Sequence, residues 1–270
     1  MNNFDLYIER AYLEELPEKT IKSYAFDWDD NIQFLPTKIK LRDFNNNLIK
    51  DFSTEEFAIE RNNPEISNKI ESGEYEWDFS SFRNDEEFFQ DVKKATPGPS
   101  WNDFVECLNH GFLFAIITAR GHSINAYKKV IYDMIISNQD GISKDQVVES
   151  IKEFRGAVGH NIQLNDERII KKYINQGRYY PVSNPEVQSI LGASGGASSP
   201  EKLKVKALMD FRGYVNIMGG VLVKKIGDRE ITVGFSDDDK KNYMTMKRAT
   251  EKEGMDNVVL KYTGKENNLN

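Results

Sequence analysis

The chain has 270 residues, with 36 Lys and Arg against 43 Asp and Glu, for a formal net charge of −7. That length allows one large domain or two small ones, and 39% hydrophobic with 29% charged residues supports a sizeable core rather than a disordered chain. One cysteine excludes a disulfide framework and a cysteine-based zinc site, three scattered histidines (His110, His122, His160) argue against a histidine-rich metal site, and the acidic balance argues against a protein that coats DNA through a broadly basic surface.

Residues 1–19 carry no basic stretch followed by an apolar one, so no secretory signal is expected, and no apolar run approaches the ~20 residues of a membrane span. A cytoplasmic protein without membrane contact is the expectation. The first apolar run, Tyr24-Ala25-Phe26, leads into Asp27-Trp28-Asp29-Asp30-Asn31. Residues 36–98 are polar, aromatic-dotted and irregular, with a hairpin signal where residues 37–41 and Leu48-Ile49 flank Asn45-Asn46-Asn47. Pro99-Ser100 opens a helix with Trp101, Phe104, Val105 and Leu108 on one face, closed by Gly111. The near-continuous apolar run 112–117 reads as a strand buried on both faces and leads into Thr118-Ala119-Arg120-Gly121. Ser123 caps a helix carrying Ile124, Tyr127, Ile131, Met134 and Ile135, and Ser143 with Gln146 reads as a capping box before Val147, Val148 and Ile151. Residues 140–198 read as mainly helical and end in a flexible Gly/Ser loop. Ser199-Pro200-Glu201 starts a helix with Leu203, Ala207, Leu208 and Phe211. The run 231–236 leads into Asp237-Asp238-Asp239, and Asp239 caps a last helix through Tyr243, Met246 and Ala249. The tail 263–270 is expected to fray. Strands alternating with helices predict an α/β, Rossmann-like fold with a mostly parallel sheet, one domain over 1–270, in which 36–98 and 140–198 are insertions.

In an open α/β sheet, ligands bind at the carboxyl ends of the strands. The three apolar runs end there in an aspartate cluster, a threonine and an acidic triplet. Carboxylates crowded within a few ångströms raise one another's pKa, and a hard divalent cation with oxygen ligands relieves the repulsion. Mg²⁺ suits such a site because it takes one or two carboxylates, carbonyls, water and substrate phosphate. A carboxylate is also a competent covalent nucleophile toward phosphorus.

These residues resemble the haloacid dehalogenase-like (HAD) superfamily of phosphatases and phosphotransferases. Its first motif, an apolar strand followed by D-x-D-x-[TV], is matched by Tyr24-Ala25-Phe26-Asp27-Trp28-Asp29-Asp30-Asn31, with Asn31 standing where Thr is usual. Its second, an apolar strand ending in Thr or Ser, is matched by Ala115-Ile116-Ile117-Thr118. Its third is a lysine near a helix start, open here among Lys202, Lys204 and Lys206; Lys204 is preferred because Lys204-Val205-Lys206-Ala207-Leu208 fits the K-x-x-A-L pattern of some branches. Its fourth is an acidic pair after a strand, matched by Gly234-Phe235-Ser236-Asp237-Asp238, with Asp239 as the alternative second ligand or a helix cap. The resemblance implies a HAD-like core with cap-type insertions. It makes Asp27 the nucleophile and a Mg²⁺ ligand. Asp29 becomes the general acid and base, its backbone carbonyl also on the metal. Thr118 becomes a hydroxyl donor to a phosphoryl oxygen, Lys204 the charge neutraliser, and Asp237 and Asp238 metal ligands.

The activity so implied is a Mg²⁺-dependent phosphohydrolase that cleaves a phosphate monoester, a nucleotide or a sugar phosphate, through an aspartyl-phosphate. A phosphorylated nucleic-acid end is the second choice, disfavoured by the net acidity; a non-catalytic HAD-like binding or assembly protein is the alternative outside enzymes. The remaining candidates read as structural. Arg120 and His122, which follow the second motif, are expected at the surface or as caps ahead of a role touching substrate, His110 at a turn, Cys107 buried on an apolar helix face, and Trp28 packed away from its flanking aspartates. His160 carries no signal. The loop 192–196 lacks the G-K-[ST] ending of a nucleotide cradle. Tyr75-Glu76-Trp77-Asp78-Phe79 reads equally as a surface over the site and as packing within the insertion.

Overall fold

The computed structural model describes residues 20–157, 164–193, 198–226 and 230–265; His160 and most of the expected Gly/Ser loop lie outside them. The chain opens with β1 (Thr20–Phe26), and after the aspartate-rich turn comes a short β2 (Gln33–Phe34). Next come the hairpin β3 (Ile39–Asp43) and β4 (Leu48–Phe52), helices α1 (Thr54–Glu60) and α2 (Pro64–Glu71), the return strand β5 (Tyr75–Asp78) and α3 (Asp85–Val92). β6 (Thr96–Pro97) pairs with β2 and brings the chain to α4 (Trp101–Asn109). From there run β7 (Leu113–Thr118), α5 (Ile124–Ser137), α6 (Lys144–Ala157), α7 (Asp166–Gln176), β8 (Arg178–Pro181) and α8 (Pro185–Ile190). The long α9 (Pro200–Ile226), β9 (Glu230–Asp237), α10 (Lys240–Lys252) and β10 (Val258–Tyr262) complete the order. The caps follow local chemistry: Ser53 and Glu56 close a reciprocal capping box on α1, Ser123 accepts the Ala126 N–H at the start of α5, and Asp239 accepts the Asn242 N–H at the start of α10.

Five strands form one sheet in the order β10-β9-β1-β7-β8, every pairing parallel. All six residues of β7 are buried, as a central parallel strand covered by helices requires. α9 seats Leu203, Ala207, Leu208, Phe211 and Val215 in the core and packs against β1, β7, β8 and β9. Phe104 of α4 meets Phe26 and Phe114 edge-on. The α/β architecture with a parallel central sheet is therefore present.

The two expected insertions differ from the expectation in extent. Residues 178–181 supply an edge strand, and Ile169, Ile170, Tyr173 and Ile174 of α7 belong to the main core, so the later part of 140–198 completes the sheet. The four-residue Arg-Tyr-Tyr-Pro strand has no apolar run to announce it. Its tyrosine hydroxyls are instead satisfied inside, Tyr179 by the Ile174 carbonyl and Tyr180 by Asp210. In the earlier segment, Phe88 and Val92 of α3 also join the main core, whereas Ile39, Leu41 and Phe52 lie outside that cluster. The separately packed part is the antiparallel β4-β3-β5 sheet with α1, where Trp77 meets Phe52 and Phe57 edge-on. The expected hairpin is present, with a register shift at Leu41/Arg42 and Asp43 Oδ1 accepting the N–H groups of Asn45 and Asn47 across the turn. Among the described residues no helix is long and apolar enough to cross a membrane.

Gly98 marks where the chain returns to the sheet edge. Its N–H reaches the Ile32 carbonyl at 2.8 Å, and a Cβ there would stand 2.4 Å from the Asn31 carbonyl oxygen. Backbone on both sides leaves no flexible atom to give way. Gly98→Ala is therefore expected to lower stability by roughly 1–3 kcal/mol, read as a shift of the urea midpoint.

Candidate active site

Parallel pairing sets Phe26 beside Ser236, and the next N–H, that of Asp27, reaches the Ser236 carbonyl at 3.0 Å. Asp27 and Asp237 thus leave neighbouring strands at the same level. Lys204, in the first turns of α9, is buried between them, its Nζ 2.9 Å from Asp27 Oδ1 and 2.8 Å from Asp237 Oδ2. The two other lysines face elsewhere, as residues two apart on a helix must: Lys202 is exposed, and exposed Lys206 donates to the Leu191 carbonyl. Ligand atoms of Asp27, Asp237 and Asp238 lie within 4.8 Å of one another. Asp239 is engaged otherwise, as the α10 cap and as partner of Arg61 at 3.4 Å.

The charges are unbalanced, one ammonium against three carboxylates. Burial pushes the Asp27 carboxyl well up; Lys204 opposes this, while Asp237, Asp238 and Asp29 add to it. Asp237 is raised by burial too, although Lys204 and the Asp239 N–H hold it back. Asp238 is pushed up to about 8 by burial and by its neighbours Asp237 and Asp30. Burial alone would lower Lys204, but Asp237 and Asp27 outweigh it and leave its pKa raised. Asp27 Oδ1, although close to Lys204, has no partner in hydrogen-bond geometry. Asp237 is better served, accepting also from the Asp239 N–H and from Asn242 Nδ2.

Asn31, the departure from the resembled motif, is fully buried and ties the strand ends together. Its Nδ2 donates to the carbonyls of Asp27 and Ser236 and to Ser236 Oγ, and its Oδ1 accepts from Ser100 and Thr263. A Thr offers no such pair of donors.

Asp29 and Thr118 stand beside the cluster. The Asp29 carboxylate lies outside the metal-capable trio and is turned to Arg120, whose Nε and Nη2 grip it at 2.6–2.9 Å; Thr118 Oγ1 is 3.5 Å from its Oδ2. The expected surface or capping role of Arg120 and His122 is overturned: they are 1% and 0% exposed. Arg120 Nη1 meets His122 Nε2 at 3.1 Å, and His122 stacks on Phe88. A charged residue after a strand looks like surface in sequence, and only its partner 91 positions away makes it core. Trp28, Cys107 and His110 are placed structurally: Trp28 packs edge-on to Phe88, Phe104 and Tyr127, Cys107 is buried with its thiol raised by burial, and His110 Nδ1 lies 3.0 Å from the Glu106 carbonyl.

The cluster floors a cavity of about 990 Å³, into which the β4-β3-β5 unit and the segment after it bring Phe57, Phe79 and Phe82. The stretch 75–79 therefore serves both expected ends, Trp77 inside the unit and Phe79 on the cavity wall. Asp30, held at a left-handed φ of 52°, accepts from Thr54 of α1 and joins that unit to the site.

His122 is lowered to about 4 by burial and by Arg120. In the unfolded chain it titrates near its ordinary value, so between about 6.5 and 4 unfolding takes up a proton. Stability is unaffected by this group above that window and falls as pH drops through it, by up to ~3 kcal/mol. His122→Asn is expected to remove that share of the acid sensitivity, measured as urea stability at pH 7 against pH 4.5. Comparison of the chain with protein-family models, with curated proteins and with solved structures found no match.

Proposed function

We propose that this protein is a HAD-like, divalent-metal-dependent phosphohydrolase that cleaves a phosphate monoester through an aspartyl-phosphate. The observation that carries the reading is the buried Lys204 between Asp27 and Asp237, with Asp238 beside them, at the carboxyl ends of adjacent parallel strands. Three crowded carboxylates that share the single ammonium of Lys204 fit a hard dication. Asp27, Asp237 and Asp238 would hold it, with the Asp29 carbonyl as the resemblance implies. Mg²⁺ is the natural choice for an all-oxygen set beside a phosphate. When bound, the ion supplies positive charge that offsets the carboxylates and the phosphoryl oxygens.

The chain's own residues supply the rest. An Asp27 oxygen bonds to phosphorus as the ester P–O bond breaks, and the proton of Asp29 goes to the departing oxygen. Water then attacks phosphorus, Asp29 takes its proton, and the Asp27–phosphorus bond breaks to release phosphate. Lys204 holds Asp27 in place and balances phosphoryl charge, and the Thr118 hydroxyl donates to a phosphoryl oxygen. The cavity exceeds the size of a phosphate ion several-fold, and its aromatic wall suits an organic group such as a nucleoside or a sugar. In this reading the β4-β3-β5 unit acts as the cap that selects it.

Asp27→Asn is expected to lose about a thousandfold or more of the Mg²⁺-dependent phosphate release from a panel of monoesters. Full activity in that variant removes Asp27 as nucleophile, and a wild type that releases no phosphate from the panel with metal present overturns the enzyme reading. Burial and the crowded carboxylates push Asp238 up to about 8 and raise Asp27 and Asp237 too, so protons compete with the cation. Apparent Mg²⁺ affinity by calorimetry should strengthen as pH rises from 6 to 8, and Asp238→Asn should lessen this slope.

A further inference from the structure

We infer that Arg120 is the positioning residue of the reaction, holding the Asp29 carboxyl group at the angle from which it gives a proton to the departing oxygen and, as carboxylate, takes one from the attacking water; the inference rests on the phosphohydrolase reading. Every nitrogen of the guanidinium is engaged. Nε contacts both Asp29 oxygens at 2.9 and 2.8 Å, Nη2 donates to Asp29 Oδ1 at 2.6 Å and to Thr37 Oγ1 at 2.9 Å, and Nη1 meets His122 Nε2 at 3.1 Å. The group also lies over the rings of Phe82 at 4.3 Å and Phe88 at 5.6 Å. Thr37 is itself anchored by donating to Asp91. The guanidinium is thus fixed from all sides, while Asp29 keeps one edge toward the cavity, its side chain 17% exposed.

A planar fork gripping a carboxylate sets its rotation as well as its place, which a point charge does not. That matters at Asp29. Its neighbours Asp27 and Asp30 repel it, and the fork opposes its turning toward or away from them. Proton transfer requires the acid within hydrogen-bond reach of the departing oxygen, so a freed Asp29 loses acid catalysis while Asp27 and Lys204 stay in place. The clamp has parts from two regions: Thr37 and Phe82 come from the segment 36–98, Thr118 from the end of β7, and Arg120 and His122 from the loop after it. Asp29 is therefore in position only when that segment is seated on the sheet.

Two esters with matched rings separate positioning from mere support. 4-Nitrophenyl phosphate expels a stable phenolate that needs no proton, whereas 4-nitrobenzyl phosphate expels an alkoxide that does. Arg120→Ala is expected to lower kcat/KM for the benzyl ester at least about tenfold more than for the phenyl ester, chiefly through kcat. The ratio of the two constants does not depend on the fraction of folded protein, so a loss of stability cannot imitate the effect. Arg120→Lys, which keeps the charge and lacks the fork, should leave the ratio low, added guanidinium should raise it in Arg120→Ala, and Thr37→Val should shift it less in the same direction. Where Arg120→Ala does not fold, the ratios in Arg120→Lys and Thr37→Val decide. Equal losses on both esters, or a wild-type ratio in Arg120→Lys, overturn the inference and leave the phosphohydrolase reading intact. A wild type inactive on both esters overturns the reading and the inference together.

Discussion

An ammonium buried among carboxylates is the constraint on which the arrangement turns. Removing Lys204 and Asp237 from water costs several kcal/mol per ion, and the cost is offset only if the partners meet at hydrogen-bond distance. The first turns of α9 must therefore dock at the ends of β1 and β9. The apolar stripe from Leu203 to Val215 makes that docking favourable by seating the same helix on the sheet. Packing and ion pairing thus specify one position for α9. Yet the pairing is incomplete, since one positive charge faces three negative ones. The residual repulsion is what a cation or a proton would relieve.

Around that centre, polar side chains join elements that periodicity alone would leave independent. Asn31, Ser100, Ser236 and Thr263 form one hydrogen-bonded group in which the Asn31 amide bridges the ends of β1 and β9. Each atom is satisfied, so the group fixes the level at which Asp27 and Asp237 emerge rather than costing stability. The β4-β3-β5 unit, with its own small core, is fastened by other contacts: Thr54 to Asp30, Arg61 to Asp239, Lys265 to Glu55, and just before it Thr37 to Arg120. Several of the acidic residues beside the cluster therefore serve as attachment points.

Legibility followed from how far each signal is local. The strands β1, β7 and β9 were visible because continuous or aromatic apolar runs end in polar residues. The edge strands β8 and β10 are not: β8 buries its tyrosines but in a four-residue Arg-Tyr-Tyr-Pro run with no apolar stretch, and β10 has no fully buried residue. For the same reason 140–198 read as an insertion, although its last strand belongs to the sheet. Arg120 and His122 look like surface residues in the sequence because a buried charge and a surface charge have the same letters.

The sequence by itself determined the α/β class, the order of the apolar runs, and the placing of Asp27, Asp29, Thr118, Asp237 and Asp238 at strand ends. Those properties follow from hydrophobic periodicity and from residues adjacent in the chain. Only the tertiary structure decided that Lys204 rather than Lys202 or Lys206 meets the aspartates, that Asp238 joins the cluster while Asp239 caps α10, and that Asp29 is gripped by Arg120. Each of those outcomes depends on whether a charge, once buried, finds a partner. The partner comes from a distant segment whose approach is set by the packing of the whole sheet.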